Sequence, residues 1–399
     1  MAEEPQVLRK KTNEALEAGK HDEAVCYLAE LVAIHPEDRD TRLALAITLG
    51  DAGYPVGALK ILRATADRLA HDGFLLPAMI VIKHGLKHAP QDPSLNSTLT
   101  RIHVRGVRAK AGNLPVPPPL KSRREPPKAA SAEALLALQG QERMEAVTRL
   151  GTDFPSMGEA AVPLPMPLFS ELDSEAFVET VKRLHYKRVP PNTALITEGE
   201  IGDHLLVVAS GHVRIEKGGQ KLARLGPGMV IGEMALITGA PRSATVVADE
   251  EVEVFELSRA DVEALAQAKP KVAEELVEYC RKRLIGNLLQ TSPLFKRFDD
   301  ATRFLLIDKF QRRGYPSGES LITQGQEGVG LFVIAAGEVE VWVEKDGESV
   351  AVATLKPGEV VGEIALLKGG TTTATVKAKG RVGALFLPRD EFQHILDAH

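Results

Sequence analysis

The sequence has little of what marks a secreted protein or a membrane-spanning protein. It contains two cysteines in 399 residues, Cys26 and Cys280, which are too few for a disulfide scaffold or a cysteine-rich zinc site. Its longest nearly uninterrupted apolar stretch, residues 74–82, is far shorter than the ~20 residues that a membrane-spanning helix needs. The N-terminal segment MAEEPQVLRKK is polar and lacks the hydrophobic core of a signal peptide. We therefore expect a cytoplasmic protein.

The sequence also lacks the excess of positive charge that nucleic-acid binding requires. Lys and Arg number 49 against 54 Asp and Glu, so the net charge is −5. A hydrophobic content of 44% with 26% charged residues is ordinary for a folded soluble chain and excludes global disorder. At ~100–200 residues per domain, the length allows two to four domains.

Residues 6–108 have apolar residues at helical spacing, with glycine or proline at the ends of the helical runs. The residues that recur 34 positions apart are Gly19 and Gly53, Ala24 and Ala58, and Leu28 and Leu62. This period, with small residues at the positions where helices cross, resembles tetratricopeptide repeats. The resemblance implies helical hairpins that present a groove to a partner protein. A generic helical bundle is the alternative.

A proline-rich segment follows this helical region. Residues 111–130 contain six prolines and almost no large apolar residues, which is typical of a semi-rigid linker. Residues 131–150 return to helical periodicity, and four prolines between 155 and 167 predict a boundary near residue 160. Because such a linker should not transmit packing, we expect residues 1–108 to fold without the rest of the chain. The predicted units are 1–110 (helical repeats), 111–160 (linker with a helix), 161–290 (first β-rich domain with a long helix) and 291–399 (second β-rich domain).

The second half of the chain contains two copies of one domain. LITEGEIGDHLLVVASG at 195–211 recurs as LITQGQEGVGLFVIAAG at 321–337, and GEMALITGAPRSAT at 232–245 recurs as GEIALLKGGTTTAT at 362–375. Short apolar runs separated by glycine-containing turns predict a jelly-roll-type β barrel in each copy. Residues 270–289 predict a long helix with one apolar stripe between the two copies. The predicted fold class is therefore multidomain α + β, with a helical repeat region followed by two β rolls joined by a long helix.

The signatures LITEGEIGDHLLVVASG and IGEMALITGAPRSATVVA resemble the cyclic-nucleotide-binding domain. The catabolite activator protein, the regulatory subunits of cyclic-AMP-dependent protein kinase and the cyclic-nucleotide-gated channels share this domain. The resemblance implies a regulatory ligand in the first copy, with cyclic AMP (cAMP) favoured, cyclic GMP still open, and no metal. The site residues that it implies are Gly232, Glu233, Met234, Ala235, Arg242, Ser243 and Ala244.

The chemistry of a cyclic phosphate explains why these residue types occur together. The negatively charged phosphate must lose its bound water when it enters a barrel. An arginine replaces that water with charge-assisted hydrogen-bond donors whose geometry matches the phosphate oxygens. Backbone N–H groups of a Gly- and Ala-rich turn supply further donors. In the family pattern Arg242 binds the phosphate, Glu233 accepts from the ribose 2′-hydroxyl, and Gly232 lets the backbone approach.

The second copy departs from this pattern at one position. Gly362 and Glu363 remain, but Thr372 stands where the first copy has Arg242. A hydroxyl can hydrogen-bond a phosphate without neutralising it, and burying an anion without its partner is costly. We therefore predict that the second copy is degenerate and serves packing, dimerisation or relay, with a weak or uncharged ligand as the alternative.

No catalytic motif competes with ligand binding. The sequence has no phosphate loop ending in Gly-Lys-Ser/Thr, no HExxH and no Gly-x-Ser-x-Gly elbow. We therefore predict no enzyme activity. The preferred hypothesis is a cytoplasmic cyclic-nucleotide receptor that acts as a signalling adaptor and binds a partner protein through its helical repeats.

Two alternatives remain open. One is an inhibitor like a kinase regulatory subunit, although Arg123 and Arg124 are followed by Glu125 and Pro126, a poor inhibitory sequence. The other is a transcription regulator of the catabolite activator type, for which the few residues after Glu391 leave no room for a DNA-binding module. We expect neither membrane binding nor direct DNA binding, and a homodimer stays open.

Overall fold

The computed structural model describes residues 4–110, 131–154, 166–233, 242, 244–291, 299–345, 348–356, 358–368 and 370–398. A helical N-terminal region is followed by two β-rich domains, so the coarse fold class is confirmed. The identity of the helices as tetratricopeptide repeats stays a prediction.

Glycines end the helices of the N-terminal region where the sequence predicts turns. Gly19, Gly53 and Gly73 have φ values of +69°, +89° and +93°, a left-handed conformation that glycine adopts without strain. Helices that follow one another in sequence pack together. They are α1 (Pro5–Glu17), α2 (His21–Ile34), α3 (Arg39–Asp51), α4 (Pro55–His71), α5 (Leu75–His88) and α6 (Pro93–Lys110).

Two further helices pack on this region. Helices α7 (Ala132–Ala137) and α8 (Gly140–Thr152) pack on α2, α3 and α4. In the unit predicted over 111–160 as a linker with a helix, the described part, residues 131–154, thus contains two helices, and both lie on the N-terminal helices. Residues 111–130 and 155–165 lie outside the described residues.

The first β-rich domain consists of two four-stranded sheets, preceded by α9 (Pro167–Glu171) and α10 (Ser174–Arg183). One sheet has the strand order β1-β8-β3-β6, the other β2-β7-β4-β5. Between them lies an aliphatic core that includes Leu206 and Val208. The strands are β1 (His185–Val189), β2 (Ala194–Ile196), β3 (His204–Ser210), β4 (Val213–Lys217), β5 (Gln220–Leu225), β6 (Val230–Ile231), β7 (Thr245–Ala248) and β8 (Val252–Ser258).

Strand β3 is buried on both faces. Alternate residues point in opposite directions along a strand, so Leu206 faces the barrel interior while Leu205 and Val207 join a core shared with the N-terminal helices. The helical half therefore packs on the first β domain, although the proline-rich segment separates the two in sequence. Whether residues 1–108 fold alone stays a prediction.

The long helix and the second β-rich domain follow as the sequence predicts. After α11 (Arg259–Ala268), α12 (Pro270–Thr291) buries Val272, Leu276 and Cys280 along one stripe. The second domain has sheets of order β14-β11-β16-β9 and β10-β15-β12-β13. Its strands are β9 (Gln311–Tyr315), β10 (Ser320–Ile322), β11 (Gly330–Ala336), β12 (Val339–Lys345), β13 (Glu348–Leu355), β14 (Val360–Val361), β15 (Thr375–Ala378) and β16 (Val382–Pro388), and its helices are α13 (Asp300–Ile307), α14 (Glu363–Lys368) and α15 (Arg389–Ala398). Across the described segments, no helix is long and apolar enough to cross a membrane.

Candidate functional site

Gly232 and Arg242 meet at the edge of the first barrel. The Arg242 guanidinium donates from Nη1 to the carbonyl oxygen of Gly232 at 2.9 Å and from Nη2 to that of His204 at 2.7 Å. Gly232 has φ +81°, and a Cβ at this position would lie 2.4 Å from Arg242 Nη1. Glycine is therefore required at 232 for the guanidinium to reach the backbone.

The Arg242 side chain is a buried cation. The residue is 6% exposed, and its backbone is fixed by N–H donation to the carbonyl of Glu200 and by acceptance from the N–H of Gly199. Burial lowers the pKa of the Arg242 guanidinium, against the opposing charges of acids such as Asp203. Among the residues that the structure describes, none forms a salt bridge with this guanidinium. A desolvated guanidinium of this kind is suited to an anionic ligand.

Glu233 lies next to this cation and is connected to the long helix. It is 6% exposed, and its Oε1 lies 3.5 Å from Nε of Arg283 on α12. The Nη2 of Arg283 also donates to the carbonyl of Val230 at 3.0 Å. The carboxylate that is predicted to bind ribose is thus in ionic contact with the helix that leads to the second domain.

Sequence reasoning missed Arg283 and its neighbour Tyr279. Arg283 follows Cys280 by three residues, so the two side chains lie on the same face of the helix. A basic residue on the buried face of an amphipathic helix could have indicated this contact. The Tyr279 hydroxyl, one turn before Arg283, is buried and has no hydrogen-bond partner within the described ranges. Burial raises the pKa of Tyr279 to about 12.

The structure brings together three of the seven predicted site residues, namely Gly232, Glu233 and Arg242. Ala244 is half-buried just before β7, two residues after Arg242. Met234, Ala235 and Ser243 lie outside the described residues.

The second copy keeps the backbone of this site but not its charge. Thr372 donates its N–H to Gln326 and accepts from the N–H of Gly325, which is the pairing that Arg242 makes in the first copy. The Thr372 hydroxyl lies 2.5 Å from the carbonyl oxygen of Thr323 and 3.1 Å from that of Gln326. Its one proton is therefore directed at the protein backbone. Gly362, with φ +88°, occupies the position of Gly232.

Within the described part of the chain, no group of three or more His, Cys, Asp or Glu side chains is arranged to hold a metal ion.

Comparison with known families identifies the two β-rich domains. Residues 186–269 and 312–399 match the family model described as cyclic nucleotide-binding domain. The chain carries tandem cyclic nucleotide-binding domains. The first contains the Gly232–Arg242 site, and the second contains Thr372.

The tandem cyclic nucleotide-binding domains are similar to those of kinase regulatory subunits. A cAMP-dependent protein kinase regulatory subunit of Yarrowia lipolytica is 34% identical over 229 residues, covering 57% of this chain and 58% of that protein. The subunit of Blastocladiella emersonii is 29% identical, covering 57% and 56%. This chain thus spans little more than half the length of these curated relatives. Among solved structures, the regulatory domain of Toxoplasma gondii PKA with cAMP is 25% identical, covering 58% of this chain and 88% of that one at a TM-score of 0.27.

Proposed function

We propose that this chain is a cyclic-nucleotide-controlled regulatory protein, without enzyme activity of its own, that binds its ligand in the first cyclic nucleotide-binding domain. The observation that supports this most directly is the buried Arg242 guanidinium beside Gly232 and Glu233. We take cAMP as the ligand because the relatives are named for it, and cyclic GMP is the alternative.

The site residues divide the recognition between them. Arg242 binds the cyclic phosphate through charge-assisted hydrogen bonds, which a desolvated guanidinium makes strongly. Glu233 accepts from the ribose 2′-hydroxyl and distinguishes ribonucleotides from deoxyribonucleotides. Met234, Ala235, Ser243 and Ala244 contribute the surrounding backbone and hydroxyl contacts.

Helix α12 carries the response from the ligand to the rest of the chain. Arg283 on this helix faces Glu233, and the helix runs from the first domain towards the second. A ligand shifts the equilibrium between two positions of α12 only if it binds one arrangement of Glu233 and Arg283 more tightly than the other.

The protein under control is proposed to be a kinase catalytic subunit. The similarity to kinase regulatory subunits favours this partner over the unspecified partner of a general adaptor. We therefore place the kinase-regulatory function ahead of the adaptor function.

Ligand titration of the full chain tests the site. We expect one cAMP bound per chain, and Arg242→Ala should weaken binding about tenfold to more than a hundredfold, because a charge-assisted hydrogen bond is worth ~1.5–3 kcal/mol. Thr372→Ala should leave affinity unchanged. The matched control is Arg224→Ala, which removes a guanidinium that is 57% exposed on β5. Two equivalent sites in the wild type, or an unaffected Arg242→Ala variant, would contradict the assignment.

A kinase assay tests the partner. The chain should inhibit a purified cAMP-dependent catalytic subunit, and cAMP should relieve the inhibition in the wild type but not in Arg242→Ala. A chain that binds cAMP without inhibiting the kinase would favour the adaptor function instead.

A further inference from the structure

Two fully buried charged residues of the N-terminal helices bind main-chain groups from one distant segment. Glu30 on α2 and Arg42 on α3 are each 1% exposed. A Glu30 carboxylate oxygen accepts the N–H of Ala132 at 2.7 Å. Arg42 donates from Nη1 to the carbonyl of Gly151 at 2.7 Å and from Nη2 to that of Asp153 at 2.8 Å.

These contacts lie at the two ends of the segment formed by α7 and α8, residues 131–154. A carboxylate stabilises the N-terminal end of a helix and a guanidinium stabilises the C-terminal end, because both complement the helix dipole and its unpaired main-chain groups. Phe154 adds an aromatic ring 3.9 Å from the Arg42 guanidinium. The N-terminal helices thus recognise where this segment begins and ends.

Between its ends the segment packs its apolar side chains on the core of the N-terminal helices. Leu135, Met144 and Val147 are buried, whereas the opposite side, with Glu133 and Arg149, is exposed.

Two glycines let the helices approach closely. A Cβ on Gly151 of α8 would lie 2.5 Å from Ile61, and one on Gly57 of α4 would lie 2.6 Å from Thr148. The two surfaces are therefore complementary in shape as well as in charge.

Arg42 has one partner that does not depend on the segment. Arg42 also donates from Nε and Nη2 to the carbonyl of Pro36 within the helical region. Proline-bearing stretches, 111–130 and 155–167, precede and follow the segment in the sequence, so neither of its helices is a simple continuation of a neighbouring helix.

We propose that the face formed by α2, α3 and α4 is a docking site for a helical segment, and that residues 131–154 are its resident occupant in cis. A partner protein then binds this site with a similar helical segment that displaces residues 131–154. The main-chain groups at the two ends of that segment bind Glu30 and Arg42. The groove that the sequence predicts for a partner protein is thereby occupied by residues 131–154 of the same chain.

The experiment uses the full chain and a labelled, N-acetylated peptide of residues 131–154, with binding followed by fluorescence anisotropy. Val147→Asp places a charge on the buried face and should eject the tethered segment, so this variant should bind the peptide saturably at one per chain. The wild type should not bind it at ~10 μM, because a tethered competitor acts at an effective concentration of about 1 mM. Arg149→Asp is the matched control, since it places the same side chain on the exposed face of α8 and should behave as the wild type does.

A second substitution tests the charged contact. In the Val147→Asp background, Arg42→Gln should weaken peptide binding at least tenfold. The proposal is overturned if Val147→Asp stays folded without binding the peptide. It is equally overturned if Val147→Asp loses the helical signal of the whole N-terminal region, because residues 131–154 would then be an inseparable part of that fold.

Discussion

Replacing Arg39 with alanine should loosen the helical region from the first cyclic nucleotide-binding domain. Arg39, the first residue of α3, donates from Nη1 and Nη2 to the two carboxylate oxygens of Glu253 on β8, at 2.9 and 2.8 Å. Glu253 is 4% exposed, and it also accepts from Tyr186 at 2.7 Å and from Arg188 at 3.1 Å. The substitution therefore removes two of the four hydrogen bonds described for a buried carboxylate.

The expected loss of stability is about 2–3 kcal/mol. Removing one partner of a buried ion pair typically costs ~3–5 kcal/mol, because the other charge is left unpaired in a low dielectric. Here the cost is smaller, since Tyr186 and Arg188 still stabilise the Glu253 carboxylate. In a double-mutant cycle, Arg39→Ala and Glu253→Ala should be less destabilising together than the sum of their separate effects.

The assay is chemical denaturation followed by two signals. Far-ultraviolet circular dichroism follows the helices, whereas the fluorescence of Trp342, the only tryptophan, follows the second domain. Arg39→Ala should shift the helical transition, and the control Arg9→Ala, which removes a guanidinium that is 63% exposed and 3.4 Å from Asp38, should shift it by less than ~1 kcal/mol. If Arg39→Ala costs no more than Arg9→Ala, the reasoning is wrong.

The same contact has a defined pH dependence. Hydrogen bonds from Arg39 and Tyr186 lower the pKa of Glu253 below its ordinary value of 4.5, although burial opposes them. A carboxylate with a lowered folded-state pKa stabilises the fold fully above its unfolded-state pKa and loses this effect as the pH falls through the folded-state value. The difference between wild type and Arg39→Ala should therefore be constant at neutral pH and shrink in acid below about pH 4.5.

Two further substitutions test the site and the domain interface. Gly232→Ala should weaken cAMP binding at least tenfold in a titration, because the new Cβ would lie 2.4 Å from Arg242 Nη1. The control is Gly219→Ala, which has a similar φ of +80° but no atom within 4 Å of the new Cβ, and it should leave the affinity unchanged. Equal effects of the two substitutions would contradict the argument from this contact. Burial lowers the pKa of Lys83 from 10.5 to about 8, where its Nζ donates to the carbonyl of Val181 at 2.9 Å. Above about pH 8, Lys83 is deprotonated in the folded chain but still protonated in the unfolded chain. The stability of the wild type should therefore rise with pH between about 8 and 10.5, relative to that of Lys83→Met. Parallel pH profiles of the two proteins in denaturation experiments would refute this.

Local patterns in the sequence were sufficient for the elements and for part of the candidate site. Helical periodicity and glycines such as Gly53 depend on the conformation of a few neighbouring residues, so the structure reproduces them without reference to distant parts of the chain. The repeated motifs indicated two copies of one domain and predicted Gly232, Glu233 and Arg242 as site residues. The contrast between Arg242 and Thr372 also follows directly from aligning the copies.

The contacts between these elements depended on packing that no local pattern encodes. The apolar run of β3 indicates a strand buried on both faces, but it does not say that α5 covers the outer face. Arg39 binds Glu253 across 214 residues of sequence, and Arg42 binds Gly151 across 109. A charged residue is buried only where the folded chain brings it a partner, so the sequence alone could not show that these two arginines join separate parts of the molecule.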